Sequence, residues 1–422
     1  MKKRSDDPIL VYADWQGIDG PLLMGELVVQ RIRGREVFSF SYDEEWLQHP
    51  ACRVLDPELQ LYSGRQYTSE QRPNFGVFMD SSPDRWGRML MKRREALLAR
   101  SENRPEQVLF ESDYLLGVFD RLRMGGLRFK TAIAEEFLSH ADEFTAPPWA
   151  SLRELEHACS LIEDSRALPS DQEVLKWLMV LLAPGSSLGG ARPKAGVQDE
   201  KEQLWIAKFP SQSDDFDVGA WEMVVRTLAM MAGVVVPPAR LVSLSGRYRT
   251  FLSKRFDRAP GGKRIHMASA MTLLGYQDGM SGDDGISYLE LAEFILRNCA
   301  NASRDLEQMW RRIVFNILVS NTDDHLRNHA FLLSRDGWIL SPAYDMNPNP
   351  YGAGLCLNIS ETDNSLDAGL AFAVARYFKI SPTRAKDIHA EVLKSIGNWH
   401  RIAGEQQIPR DEIERMQRAF RI

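Results

Sequence analysis

The chain has 422 residues, of which 44% are hydrophobic and 26% charged, as in a globular protein with more than one lobe. Its 52 lysines and arginines against 58 aspartates and glutamates give a net charge of −6, which argues against broad, autonomous nucleic-acid binding. The opening MKKR is followed by polar residues, so we expect no secretory signal, and no apolar run is long enough for a membrane helix. Four widely spaced cysteines without metal spacing predict reduced thiols in a cytoplasmic protein.

The first third of the chain is predicted to mix strands and helices. Ser82 and Pro83 are typical of an N-cap followed by proline at the first helical position. Pro147 and Pro148 interrupt regular structure and predict a domain boundary, so residues 1–146 are predicted to form an N-terminal subdomain. The predicted elements are a strand over 9–15, a hairpin of 27–32 and 36–41 that turns at Arg33-Gly34, and a helix from Ser82 to about Arg100.

The remainder is predicted to form two further domains, a β-rich one over 147–258 and a mostly helical one over 259–422. A capping box at residues 170–173 predicts the start of a helix, and the last sixty or so residues are predicted to form a helical cap. The other predicted elements are strands over 195–197, 204–209 and from 250, helices over 174–182, 218–232 and 306–319, and a hairpin over 329–344.

A polar segment after the helix over 306–319 carries the strongest chemical signal. Asp323 is followed five positions later by Asn328, and another carboxylate, Asp345, lies beyond the predicted hairpin. In protein kinases an aspartate orients the attacking hydroxyl, while an asparagine five positions later and a second aspartate hold metal ions. The spacing fits a kinase catalytic loop, although the usual His-Arg-Asp and Asp-Phe-Gly words are absent. The alternative is a polar turn with capping residues, but two acidic sites flanking a hairpin favour the kinase interpretation.

A lysine at the end of the strand over 204–209 is a second chemical signal. Lys208 shares a face with Ile206 and Leu204, where an ammonium group is costly unless it meets anions such as nucleotide phosphates. An edge-strand lysine that reaches water is an equally weighted alternative.

The glycine-rich segment 185–194 precedes that strand. Its glycines would let backbone amides approach phosphate, and Arg192 and Lys194 would add positive charge. A solvated glycine turn is the alternative. A Walker loop is excluded because Ala191 stands where lysine is required. The segment matches the G-x-S-x-G elbow of serine hydrolases, but that elbow follows a strand and opens a helix, whereas here a predicted helix precedes and strands follow.

Several segments together resemble the signature blocks of HipA-like serine/threonine protein kinases, toxins of type II toxin–antitoxin systems. The similar segments are SLGGARPK (187–194), KRFDR (254–258), NTDDHLRN (321–328) and PAYD (342–345), while residues 108–130 resemble the end of the family's small N-terminal subdomain. The resemblance extends over nearly the whole chain. It implies an α+β, bilobal protein-kinase-like fold, with a β-rich N-lobe, a mostly helical C-lobe and a small N-terminal α/β subdomain.

The same resemblance implies ATP and Mg²⁺ as cofactors and a protein substrate of the aminoacyl-tRNA synthetase class. It also implies a small helix-turn-helix antitoxin, HipB-like, as partner, contact with DNA only through that antitoxin, and no membrane association. Asp323 is then the catalytic base, and Asn328 and Asp345 are the magnesium ligands. Ser187 is the implied autophosphorylated serine, with Ser186 as a second candidate acceptor. The implied ATP-binding residues are Gly189, Gly190, Ala191, Arg192, Lys194, the phosphate lysine Lys208, the hinge residues Lys254, Arg255 and Phe256, and His325, Asn328, Tyr344 and Asp345.

Two other function classes stay open at this point. One is a non-catalytic regulator that binds ATP and a repressor partner, which the intact set of Lys208, Asp323, Asn328 and Asp345 disfavours. The other is a serine hydrolase in which Ser187 is the nucleophile and Asp323 and His325 or His329 are its catalytic partners. It is disfavoured because the G-x-S-x-G match follows a predicted helix and precedes strands.

Overall fold

The computed structural model describes residues 8–131, 136–138, 146–163, 174, 178, 181 and 192–422. They divide into two compact units. The first contains the described residues up to Gln212 together with Asp257–Ala268, and the second contains Ser213–Phe256 and Ser269–Ile422. The predicted division into three domains, at residues 146 and 258, stays a prediction.

The first unit is built around a five-stranded antiparallel sheet in the order β4-β3-β2-β1-β5. The predicted hairpin is confirmed, because Ile32 faces Arg35 across a two-residue turn in which Arg33 and Gly34 have φ of 51° and 79°. Positive φ at both turn residues matches the right-handed twist of the strands. The strands are β1 (Ile9–Ala13), β2 (Leu22–Ile32), β3 (Arg35–Tyr42), β4 (Gln66–Tyr67) and β5 (Leu127–Lys130).

Five α-helices and a second hairpin are among the first unit's other described elements. The predicted N-cap of α3 at Ser82 is wrong, because the side chain of Asp84 accepts the hydrogen bond from Gly87 N and the helix begins after it. The helices are α1 (Glu44–Gln48), α2 (Gly76–Asp80), α3 (Arg85–Ser101), α4 (Glu111–Leu116) and α5 (Leu152–Glu163), and the hairpin is β6 (Lys194–Gln198) with β7 (Leu204–Lys208).

Three isolated described residues, Val174, Leu178 and Leu181, are helical and buried. Their spacing places them on one face of a helix, as the sequence pattern predicts. The predicted capping box over 170–173 lies outside the described residues.

The second unit is mostly helical, as predicted for the C-terminal part of the chain. The predicted helix over 218–232 is confirmed as α6 (Val218–Met231), which Asp217 caps and Gly233, with φ of 75°, follows. The other elements, in chain order, are β8 (Ala239–Val242), β9 (Thr250–Lys254), β10 (Met267–Ser269, of which only Ser269 belongs to this unit), α7 (Ala270–Leu273), α8 (Tyr288–Asn298), α9 (Ala302–Val319), β11 (Ala330–Ser334), β12 (Gly337–Leu340), α10 (Ala368–Val374), α11 (Pro382–Ile396), α12 (Trp399–Glu405) and α13 (Arg410–Met416).

Helix α9 is the core helix of this unit and packs against α8, α10 and α11. Most of its residues from Leu306 to Val319 are fully buried, so the segment that follows it starts from a rigid support.

Near the C-terminus, Trp399 stacks on Phe420 with ring centroids 4.4 Å apart and packs against Trp221 of α6. All four cysteines are free thiols. In the described part of the chain, no helix has the length and apolar character needed to cross a membrane.

Candidate active site

The loop that carries Asp323 begins where α9 ends. Ser320 adopts a left-handed conformation with φ of 50° and terminates the helix. Within the loop, His325 N donates to Asp323 O at 3.0 Å and Asn328 N donates to His325 O at 2.8 Å. The side chain of Asn328 closes the loop, since its Nδ2 donates to Asp323 O at 2.9 Å. The two residues with the five-position spacing are therefore joined directly.

The adjacent carboxylates Asp323 and Asp324 lie in opposite environments. Asp323 is exposed, whereas Asp324 is 3% exposed. Oδ2 of Asp324 accepts hydrogen bonds from Tyr288 Oη at 2.5 Å and Asn316 Nδ2 at 2.7 Å, and it lies 2.9 Å from His329 Nε2. The first carboxylate lies at the surface of the loop, while the second is part of the buried support of the loop.

In the buried polar cluster around Asp324, the pKa of each group is set by burial together with the charges and hydrogen bonds of its neighbours. Burial alone would raise the pKa of Asp324, but His329 and the hydrogen bonds from His329 and Tyr288 outweigh it and lower that pKa. Burial and the charge of Asp324 hold the pKa of Tyr288 well above its usual value, so it remains a donor. Burial lowers the pKa of the Arg312 guanidinium to about 10, against the opposing effect of the Asp324 charge, and Arg312 stays cationic at neutral pH.

The segment that carries Asp345 is attached to the same loop. Asp345 has φ of 58°, a left-handed conformation that is uncommon for a non-glycine residue and that concentrates at functional sites. Two residues further on, Asn347 N donates to Asn321 Oδ1 at 3.1 Å. Asn349 adds two bonds to the same turn, from its N to Ser320 O at 3.0 Å and from its Nδ2 to Thr322 Oγ1 at 2.8 Å. The two predicted metal-binding segments are thus fixed to each other.

Asn328 has a side-chain oxygen of the kind that binds magnesium. The residue is 3% exposed, and its Oδ1 is buried and has no hydrogen-bond partner among the described residues. A buried carbonyl oxygen without a partner is costly unless a ligand satisfies it. Amide and carboxylate oxygens are the ligands that Mg²⁺ takes alongside substrate phosphates, so Asn328 and Asp345 fit this ion.

Part of the predicted hinge over residues 254–256 also lies near this loop. The Phe256 ring packs on that of Tyr344 with centroids 5.5 Å apart, and Tyr344 Oη donates to Arg327 O at 2.7 Å. Lys254 ends β9, and its N donates to Pro238 O at 2.9 Å. Arg255, next in the chain, is 5% exposed. His325 is half-buried, and its Nδ1 is buried and has no hydrogen-bond partner among the described residues.

The other described candidates belong to the first unit. Lys208 is the last residue of β7 and faces Lys194 across the hairpin. Lys194 is 6% exposed, and its Nζ lies 2.7 Å from Oδ2 of Asp84. That carboxylate neutralises the ammonium, and the predicted contact of Lys194 with ATP phosphates stays a prediction. Arg192 donates to Phe209 O at 3.3 Å. Ser186, Ser187, Gly189, Gly190 and Ala191 lie outside the described residues.

A sequence comparison decides the family. Residues 186–400, more than half of the chain, match the HipA-like C-terminal domain. The chain belongs to the HipA-like family. The matched range contains every site residue that the sequence analysis singled out.

Individual HipA-like relatives match more locally. The serine/threonine-protein kinase toxin HipA of Shewanella oneidensis is 27% identical over 143 residues, 30% of this chain and 33% of that protein. A protein from Haemophilus influenzae that is named as a kinase is 28% identical over 186 residues, which are 40% of this chain and 54% of that protein. The chain therefore matches about half or less of the length of these curated relatives.

A solved structure matches along almost the whole length. A chain in the complex of the Shewanella oneidensis toxin–antitoxin system HipA, HipB and its operator DNA superposes with a TM-score of 0.66 and 19% identity. The match covers 97% of this chain and 94% of that chain. The predicted α+β, protein-kinase-like fold of HipA proteins is thereby confirmed.

Sequence reasoning missed the polar residues beneath the loop. Arg312 and Asn316 lie four positions apart in the C-terminal half of helix α9, where most residues are apolar, and both are buried. Side chains at that spacing share a helix face, so two polar residues there predict a buried polar partner. That signal, present in the sequence, identifies the helix face on which Asp324 lies.

Proposed function

We propose that this HipA-like chain is an ATP- and Mg²⁺-dependent serine/threonine protein kinase in which Asp323 is the catalytic base. The observation that carries the proposal is the contrast between exposed Asp323 and the buried Asn328 Oδ1, which has no partner among the described residues, in one closed loop. Kinase catalysis is mostly positioning and electrostatic stabilisation. A rigid loop that presents one carboxylate and one amide oxygen meets that need.

Each residue then has a defined task. Asp323 accepts the proton of the attacking serine or threonine hydroxyl and orients it towards the γ-phosphate. Asn328 and Asp345 hold magnesium, which neutralises phosphate charge when bound. Lys208 pairs with ATP phosphates, and the hinge over 254–256 receives the adenine, as in other kinases.

The biological role proposed for this kinase is that of a toxin in a type II toxin–antitoxin system. Support comes from the family, and from the fold that this chain shares with a chain in the complex of HipA, HipB and operator DNA. A HipB-like helix-turn-helix antitoxin is then the partner, and DNA is reached through it. An aminoacyl-tRNA synthetase is the proposed substrate class, on the resemblance alone.

The direct test incubates the purified chain with γ-labelled ATP and magnesium, with and without a synthetase preparation. Label on protein that disappears in an Asp323→Ala variant supports the kinase. Nucleotide binding without transfer supports a regulator instead. Ester hydrolysis without nucleotide binding supports the hydrolase, in which His325 or His329 would act. Of these two, His329 has its Nε2 engaged by Asp324.

We predict that Asn328→Ala and Asp345→Ala each weaken magnesium-dependent ATP binding by at least about tenfold, because each removes an oxygen ligand of the ion. Calorimetric titration with ATP, with and without magnesium, measures this. The control is Asn298→Ala, at the end of α8, where the Nδ2 group only donates to Phe294 O. An unchanged metal dependence in both variants excludes these residues from the site.

We predict that Ser187 is autophosphorylated and that the modification inhibits the kinase. A phosphate there adds a charge of about −1.5 to −2 to the segment proposed to cover the ATP phosphates. Like charges a few ångströms apart repel by ~1 kcal/mol even in water, so Ser187→Asp should weaken ATP binding about fivefold or more. Mass spectrometry locates the phosphate, with Ser186→Ala as the matched control. Phosphate confined to Ser186, or full ATP affinity in Ser187→Asp, contradicts the prediction.

A further inference from the structure

A chain of hydrogen bonds through asparagine residues joins the Asp345 segment to the buried carboxylate of Asp324. It starts at Asn347, whose Nδ2 lies 3.4 Å from Asp345 Oδ1 and whose backbone N donates to Asn321 Oδ1 at 3.1 Å. Nδ2 of Asn321 then donates to Asn316 Oδ1 at 3.2 Å, and Nδ2 of Asn316 donates to Asp324 Oδ2 at 2.7 Å. We call Asn316, Asn321 and Asn347 the asparagine relay.

Two of the three members of the relay are shielded from water. Asn316 is 2% exposed and Asn321 is 1% exposed. Each uses its carbonyl oxygen as acceptor on one side and its amide nitrogen as donor on the other. In a dry environment, such matched bonds hold their geometry, because any displacement leaves a buried polar group unpaired.

The far end of the relay is anchored from three directions. Asp324 is held by Tyr288 of α8 and by His329 as well as by Asn316 of α9. Arg312, one turn before Asn316 on the same helix, donates to the Ser341 carbonyl. The core helix α9 thereby contacts both the Asp323 loop and the strand end that leads to Asp345.

We infer that Asn316 and Asn321 are positioning residues that set the distance between the Asp323–Asn328 loop and Asp345. The inference rests on the proposed function, since that spacing matters when both segments hold one magnesium–ATP complex. Neither residue is expected to touch substrate, because both are buried. Their effect passes through the backbone N of Asn347 and through the carboxylate of Asp324.

The expected size of the effect of Asn321→Ala follows from the behaviour of residues that hydrogen-bond to metal ligands. Removing a hydrogen-bond partner of a ligand typically lowers metal affinity or activity by about 10–100-fold. Asn321→Ala leaves the N–H of Asn347 without its acceptor. We expect it to raise the KM for magnesium about tenfold and to change the KM for ATP at saturating magnesium by less than about twofold.

The test compares Asn321→Ala with Asn358→Ala. Asn358 is a matched control because it is 3% exposed and its Nδ2 donates to Gly282 O at 2.8 Å, outside the relay. Hydrogen–deuterium exchange by mass spectrometry is measured first, without nucleotide. Exchange over 345–349 should accelerate at least about tenfold in Asn321→Ala and stay at the wild-type rate in Asn358→Ala. Magnesium and ATP titrations of the transfer rate follow.

The outcomes separate this inference from the proposed function. Accelerated exchange over 345–349 together with a raised KM for magnesium in Asn321→Ala alone supports the relay. Unchanged exchange over 345–349, or equal losses in both variants, overturns it. A wild-type chain that transfers no phosphate refutes the kinase proposal, and the exchange rates then still decide whether the relay holds the segment. If Asn321→Ala fails to fold, the same measurements are made on Asn321→Ser, which also removes the Oδ1 acceptor of the Asn347 N–H but keeps a polar side chain.

Discussion

Replacing Asp323 by alanine is expected to lower phosphoryl transfer by about 10²–10⁴-fold while the free energy of unfolding stays within about 0.5 kcal/mol of the wild type. Activity falls because the variant has no carboxylate to accept and orient the hydroxyl proton. Stability is maintained because Asp323 is exposed, so truncation leaves no buried cavity. The Nδ2 bond of Asn328 goes to the backbone carbonyl of residue 323 and survives the substitution.

Two measurements check this expectation. Transfer of labelled phosphate gives the rate, and urea unfolding gives the stability. Asp336→Ala is the control, because Asp336 is an exposed aspartate in the turn between β11 and β12. A variant at residue 323 with near wild-type turnover would show that the base is elsewhere.

Replacing the neighbouring Asp324 by alanine is expected to have its main effect on stability, with a loss of about 3–5 kcal/mol. The substitution leaves Tyr288, Asn316 and His329 without their common acceptor in a buried environment. It also removes the negative charge that partly offsets the burial of Arg312. Since breaking a buried network costs far more than losing a surface ion pair, the two adjacent aspartates should behave oppositely.

The pH dependence of stability provides a second signature of Asp324. Its pKa is lowered in the folded state, where burial is outweighed by His329 and by the hydrogen bonds it receives, so the folded state favours the carboxylate. Its contribution is fully present above the unfolded pKa of about 3.9 and is lost as the pH falls through the lower, folded value. Wild-type stability should therefore fall in that acid range more steeply than that of Asp324→Asn.

Denaturant unfolding between pH 3 and pH 7 measures both effects, with Asp336→Ala as reference. Equal stability of Asp324→Ala and the reference at pH 7 would refute the assignment of Asp324 as a buried support. If Asp324→Ala does not fold at all, Tyr288→Phe removes a single donor hydroxyl and should cost about 1–2 kcal/mol.

Local patterns in the sequence determined many of this protein's elements. The Arg33-Gly34 turn, the strand pair of β6 and β7, and helix α6 before Gly233 follow from side-chain periodicity and turn chemistry. These features depend on residues close in the chain, so a single sequence contains the information. The five-position spacing of Asp323 and Asn328 belongs here too, because Asn328 closes the loop by a local hydrogen bond.

Tertiary structure alone decided the environment of each charged group. Asp323 and Asp324 are identical neighbours in sequence, and only packing against α8 and α9 buries the second and exposes the first. The glycine-rich neighbours of Lys194 predict a phosphate contact, which stays a prediction, but they do not indicate its ion pair with Asp84, 110 positions earlier. The physical reason is that the cost of burying a charge depends on partners brought from distant parts of the chain, which no local pattern specifies.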